Sequence, residues 1–156
     1  WDNSPTGVAR IVVENNHIHH VLQKMSDGGG IYTLGRQPGS ILRLNHIHDI
    51  PTNAGRAESN GIFMDEGSSE ILVDNNTIYN IAKSPIRFHK AAGIALQKNR
   101  LVTAPGVPAV RYNNSQEQTM TFADNQLVET STWQPPADDP AASASPVGQA
   151  SSLSRE

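Results

Sequence analysis

The chain has 156 residues, no cysteine, 17% charged residues, 5% aromatics and a formal net charge of −3. That length allows one domain, two at most. The weak negative balance argues against nucleic acid, which needs a basic stripe. No apolar run approaches the ~18 residues of a membrane span, and disulfides and thiolate metal sites are excluded.

In chain order, the first segment is IVVENNHIHHV at 11–21, followed by SDGG and the short run GIYTLG at 30–35. Next come ILRLNHIHDI at 41–50 and GIFMDEG at 61–67, then ILVDNNTIYNI at 71–81 and PIRFHK at 85–90. The pattern continues with IALQKNRLV at 94–102, AVRYNN at 109–114 and MTFADNQLV at 120–128. Each segment alternates apolar and polar residues, which is the strand period and not the helical one. Aligning the five longer segments puts Asn16, Asn45, Asn76, Asn99 and Asn125 in one column, at spacings of 29, 31, 23 and 26 residues. A second column holds Ile18, Ile47, Ile78, Leu101 and Leu127, and a third holds Val13, Leu42, Val73, Leu96 and Phe122.

A unit of ~25 residues with two or three short strands and a repeated Asn predicts an all-β, single-stranded, right-handed parallel β-helix of about five coils. A leucine-rich repeat lacks support, because its Leu pattern and constant repeat length are missing. Inward Ile and Val fill the core. The Asn column serves as an amide ladder between coils and as turn chemistry in left-handed backbone. Residues 1–132 form the coils. Residues 133–156 read as a disordered tail or linker, since Pro, Ala and Ser fill 14 of the last 23 positions and leave little to bury. The chain opens on Trp1 and its first coil shows no cap, so upstream coils are expected to be missing from this stretch.

The runs SDGGGIYTLGRQPGSILRLNHIHDI, NGIFMDEGSSEILVDNNTIYNI and RFHKAAG, within residues 8–103, resemble bacterial right-handed parallel β-helix proteins. Among enzymes they look like those of glycoside hydrolase family 141, in the superfamily that includes pectate lyases and polygalacturonases. The resemblance implies a secreted or periplasmic, carbohydrate-active protein with two catalytic carboxylates, matched here by Asp27 and Asp65. Two departures stand out. Where relatives carry FHxH, this chain has Phe88-His89-Lys90-Ala91, and Asn60 precedes Gly61 where relatives often place an aromatic.

Independently of the resemblance, taking Ile31, Ile62, Ile86 and Val110 as inward gives two outward columns. One is Tyr32, Phe63, Arg87 and Arg111; the other is Leu34, Asp65, His89 and Asn113. Aromatics, arginines, a carboxylate and an imidazole suit a saccharide groove. Asp65 is expected ~4.8 Å from His89, an arrangement that sets protonation for acid–base work. Straight stacking pairs Asp27 with Glu58, so the acid pair is Asp27 with Asp65 by resemblance or Asp27 with Glu58 by register. Along straight strands Asp27 and Asp65 stand ~20 Å apart, so the glycines at 28–30 must fold back if those two act together. Glu66 points inward or sits in a turn, and is grouped with Tyr32, Phe63, Arg87, His89 and Arg111 as substrate-binding.

The histidines His17, His19, His20, His46 and His48 read as an exposed ladder and not as a metal site, because only Asp49 accompanies them. A glycosidase is the first expectation, without a cofactor. A polysaccharide lyase, in which Arg87 and Arg111 bind a uronate and Ca2+ is possible, is the alternative, together with a non-catalytic sugar-binding module. The partner is a polysaccharide or oligosaccharide, with no nucleic acid and no membrane.

Overall fold

The structure is a computed structural model that describes residues 4–52 and 58–135. Its strands build three parallel sheets. The first contains β1 (Val12–Glu14), β4 (Arg36–Arg43), β7 (Ser69–Asp74), β10 (Ala95–Gln97) and β13 (Thr121–Ala123). The second contains β2 (His17–His19), β5 (His46–Ile50), β8 (Thr77–Ile81), β11 (Arg100–Thr103) and β14 (Gln126–Glu129). The third contains β3 (Gly28–Thr33), β6 (Ser59–Met64), β9 (Ser84–His89) and β12 (Val110–Asn113). Each coil contributes one strand to each sheet. Four coils are complete among the described residues, and a fifth supplies two strands, close to the five expected.

The register follows the sequence columns. Val13, Leu42, Val73, Leu96 and Phe122 are paired neighbours in the first sheet. Ile18, Ile47, Ile78, Leu101 and Leu127 pair in the second, and Ile31, Ile62, Ile86 and Val110 in the third. Ile47, Ile62, Val73, Ile78 and Ile86 are fully buried, so like stacks on like through the core.

The Asn column joins the first and second sheets at every coil. The amide oxygen of Asn76 accepts both the backbone N–H of Asn45 at 2.9 Å and its side-chain amide at 3.0 Å. The Asn76 side-chain amide donates to the Leu42 carbonyl and to the Asn99 side-chain oxygen, each at 2.9 Å. The same pattern links Asn16 to Asn45 and Asn99 to Asn125. The left-handed residue at this corner is not the ladder Asn but the one before it. Asn15, Leu44, Asn75, Lys98 and Asp124 have φ between 53° and 56°. The turn and the ladder are therefore separate devices on adjacent residues.

The glycines at 28–30 do not fold back; they lie in β3. Their value is close approach. A Cβ on Gly61, the next coil's counterpart of Gly30, would stand 2.5 Å from the Pro85 carbonyl oxygen and from Ile78 Cγ2.

The histidine ladder stacks as expected, with His17 over His46 at 5.0 Å and His19 over His48 at 5.2 Å. It is not uniformly exposed. His48 is buried, because Tyr79 stacks on it at 4.8 Å and Trp133 packs on Tyr79 at 4.4 Å. Residue 133, expected to begin the tail, is thus part of the packed structure; from 136 on, the tail lies outside the described residues.

Replacing Asn76 with Ala removes the acceptor of two buried donors and one donor to two acceptors. We expect a loss of about 3 kcal/mol, read as a lower urea midpoint with an unchanged slope. Asn16→Ala, at the part-buried end of the ladder, should cost under about 1 kcal/mol.

Candidate active site

The third sheet carries the candidate site, because its outward positions hold the charged and aromatic side chains. In register, Tyr32 neighbours Phe63, Phe63 neighbours Arg87, and Arg87 neighbours Arg111. The expected exposed stripe is only partly exposed. Tyr32 is accessible and Arg111 half-buried, but Phe63 and Arg87 are buried. Neighbouring coils cover them. The Tyr32 ring meets Phe63 edge-on at 5.3 Å, and the Arg87 guanidinium lies 5.8 Å from the Phe63 centroid.

Asp65 lies just beyond the end of β6, held by its backbone N–H on the Thr33 carbonyl at 3.0 Å. Its carboxylate takes two side-chain hydrogen bonds at once. The Tyr32 hydroxyl donates to Oδ2 at 2.5 Å, and His89 Nδ1 lies 2.7 Å from Oδ1. The His89 contact is the one the register anticipates. Tyr32 is the partner that column reading missed: it sits diagonally, two residues short of Asp65's row, a distance that a long aromatic side chain bridges. Burial pushes the Asp65 carboxyl upward, but the Tyr32 and His89 hydrogen bonds outweigh it and hold it below its ordinary value. Conversely, burial and then the Asp65 hydrogen bond and charge raise the Tyr32 phenol well above its ordinary value, with further pushes from Asp27 and Glu66. The cluster thus joins a carboxylate and a protonated phenol, with the His89 ring on the carboxylate's other oxygen. His89 Nε2 makes no hydrogen bond among the described residues.

A second group lies at the other end of these strands. Glu58 receives Arg111 Nη1 at 2.8 Å and Nη2 at 3.4 Å, the Asn60 amide at 3.2 Å, and an ion-pair contact from Arg87 Nη2 at 3.5 Å. The Arg87 side chain makes no hydrogen bond among the described residues, and its Nε is buried without a partner. Burial lowers its pKa, against the pull of Glu58. Two guanidiniums thus face one carboxylate.

Along the backbone, Asp27 lies beside Glu58 of the next coil. Its backbone N–H donates to the Glu58 carbonyl at 2.8 Å, and Gly28 pairs with Ser59. Asp65 is seven positions from Glu58 along the chain, so the two carboxylates belong to opposite ends of the strand. Asp27 is exposed and turns through a left-handed φ of 66°, and its charge acts on both Tyr32 and Arg87. Glu66 sits in a turn, its carboxylate on Lys90 Nζ at 2.6 Å. Among the described residues no group of three or more His, Asp or Glu is placed to hold a metal ion.

A family model described as a right-handed β-helix region matches residues 4–138. No curated protein and no solved structure matches the chain.

Because the Asp65 carboxyl lies below its ordinary 3.8, its contribution to stability is complete above that value and is lost as pH falls through the lower folded-state value. The Asp65→Asn chain lacks this contribution. The gap between wild-type and variant urea midpoints should be constant above about pH 5 and close below about pH 4.

Proposed function

The chain belongs to the right-handed β-helix family, and on this scaffold we propose that the Tyr32–Asp65–His89 cluster cleaves a uronate-containing polysaccharide by β-elimination. The observation that carries this reading is the doubly bonded Asp65 carboxylate, 2.5 Å from the Tyr32 hydroxyl and 2.7 Å from His89 Nδ1. A carboxylate on Nδ1 fixes the imidazole's tautomer and orientation and leaves Nε2 as the base. His89 Nε2 takes the proton beside the uronate carboxyl. The C–O bond to the leaving sugar breaks as the ring double bond forms, and the leaving oxygen takes up a proton, with the Tyr32 phenol as the nearest donor.

Elimination also needs a cation to stabilise charge on the substrate's carboxyl. Arg87 stands two residues before His89 on the same strand face, ~7 Å away, with Arg111 beside it and more accessible. Glu58, Asp65 and Asp27 all act on the buried Arg87, so the half-buried Arg111 is the guanidinium within reach of that group. Ca2+ takes about six to eight oxygen ligands; a position faced by two arginines does not fit it, so the cationic role falls to the arginines.

The glycosidase expectation calls for two carboxyl groups ~5–10 Å apart, one of them protonated. Asp65 is held ionised and Glu58 is ion-paired, so the same side chains favour elimination over hydrolysis. A secreted or periplasmic setting, implied by the resemblance, is where such a polymer would be met.

Polygalacturonate and alginate are the substrates to assay. Ultraviolet absorbance from an unsaturated product is the expected result, falling about 10²–10⁴-fold in His89→Ala and staying near wild type in Glu70→Gln, whose carboxylate pairs with Arg36 away from the cluster. New reducing ends without absorbance would favour the hydrolase instead. No product of either kind would sink catalysis at this cluster and leave a binding module.

A further inference from the structure

Two pairs of imidazole nitrogens face each other on the outer side of the second sheet. His17 Nε2 lies 2.6 Å from His48 Nε2, and His19 Nδ1 lies 2.8 Å from His20 Nδ1. The first pair joins two coils, since His17 is in β2 and His48 in β5. It stands apart from the Asp65 cluster, which belongs to the third sheet, and does not depend on the chemistry proposed there.

The two rings of that pair differ in freedom. His48 is buried and clamped between two nearly parallel rings, His19 at 5.2 Å and Tyr79 at 4.8 Å. Its Nδ1 lies 2.9 Å from Asp49 Oδ2, and the Asn80 side-chain amide donates to the other oxygen of Asp49. An ionised carboxylate only accepts. Nδ1 therefore carries the ring proton, and Nε2 keeps its lone pair, aimed at His17. A carboxylate behind an imidazole is the arrangement that orients metal-ligating histidines; Asp49 stands behind the ligand instead of being one. His17 is exposed, with His46 stacked on it at 5.0 Å, so its ring has room to shift. His19 and His20 are both exposed, and that pair lacks a fixed member.

Two nitrogens each ~2.0 Å from one metal ion stand ~2.8 Å apart at a right angle and ~3.3 Å apart at the tetrahedral angle. From 2.6 Å, His17 has to withdraw ~0.2 Å for the first and ~0.7 Å for the second. We propose that the His17–His48 pair binds a divalent transition-metal ion of the Cu2+ kind, which accepts imidazole nitrogens at right angles, and that the ion clips the first coil to the second. His17 offers Nε2 by moving its ring proton to Nδ1, the other neutral tautomer. Water fills the remaining positions, since no group of three His, Asp or Glu is placed to share an ion among the described residues.

The test is a titration of the full chain with Cu2+ alone, followed by electron paramagnetic resonance. Wild type should bind one ion per chain and show coupling to two imidazole nitrogens. His17→Ala removes one ligand at an exposed position; it should weaken binding at least tenfold and lose the two-nitrogen pattern. His20→Ala leaves the pair intact and should bind as wild type. Circular dichroism checks the fold, and His17→Gln is the second variant if His17→Ala misfolds. Binding that survives the His17 variants and falls in His20→Ala would put the ion on the other pair and overturn the proposal. A spectrum without nitrogen coupling, binding that no variant changes, or binding only at millimolar Cu2+ would mean an adventitious ion only, and would overturn it too.

Discussion

Everything in this molecule depends on one coil lying in register on the next. The asparagine ladder sets that register. Each ladder Asn satisfies the backbone N–H of its counterpart on the preceding coil and reaches back to a carbonyl there, so a slip of one residue would strand several buried polar groups at once. The Ile columns alone are more forgiving, since one branched aliphatic packs on another in many arrangements. Directional amides at the corner and non-directional packing inside together define a single stack.

This division explains how the candidate sites arise. Ladder and core fix the inner face, and the chain between them varies: 31 residues separate Asn45 from Asn76, but only 23 separate Asn76 from Asn99. The outward positions are free to carry chemistry, and stacking concentrates it. Asp65 meets His89 because the two occupy the same row on adjacent coils. Arg111 reaches Glu58, 53 residues earlier in the chain, because only one coil lies between them.

The fold was legible because its two signals, period-two alternation and a column of Asn, are local and repeat five times. The Asp65–His89 contact was legible for the same reason. What column reading missed was cover and diagonals. Phe63 and Arg87 read as exposed because alternation tells in from out but not what a neighbouring side chain lays over an outward residue. Tyr32 was placed beside Phe63, its row partner, while its hydroxyl travels two positions on to Asp65. His48 looked like surface because its cover, Tyr79 with Trp133 above it, comes from coils further along the chain.

A stack in which each coil touches only its neighbours can come apart from the end like a zipper, one coil at a time. Trp133 works against this. It follows β14 yet packs on Tyr79 in the third coil, so β13 and β14 cannot lift away without releasing a contact two layers below. The contact ties the segment after β14 to the third coil. The indole thereby becomes a built-in optical reporter of that opening, brightening or dimming when the end lifts while the inner coils are still closed.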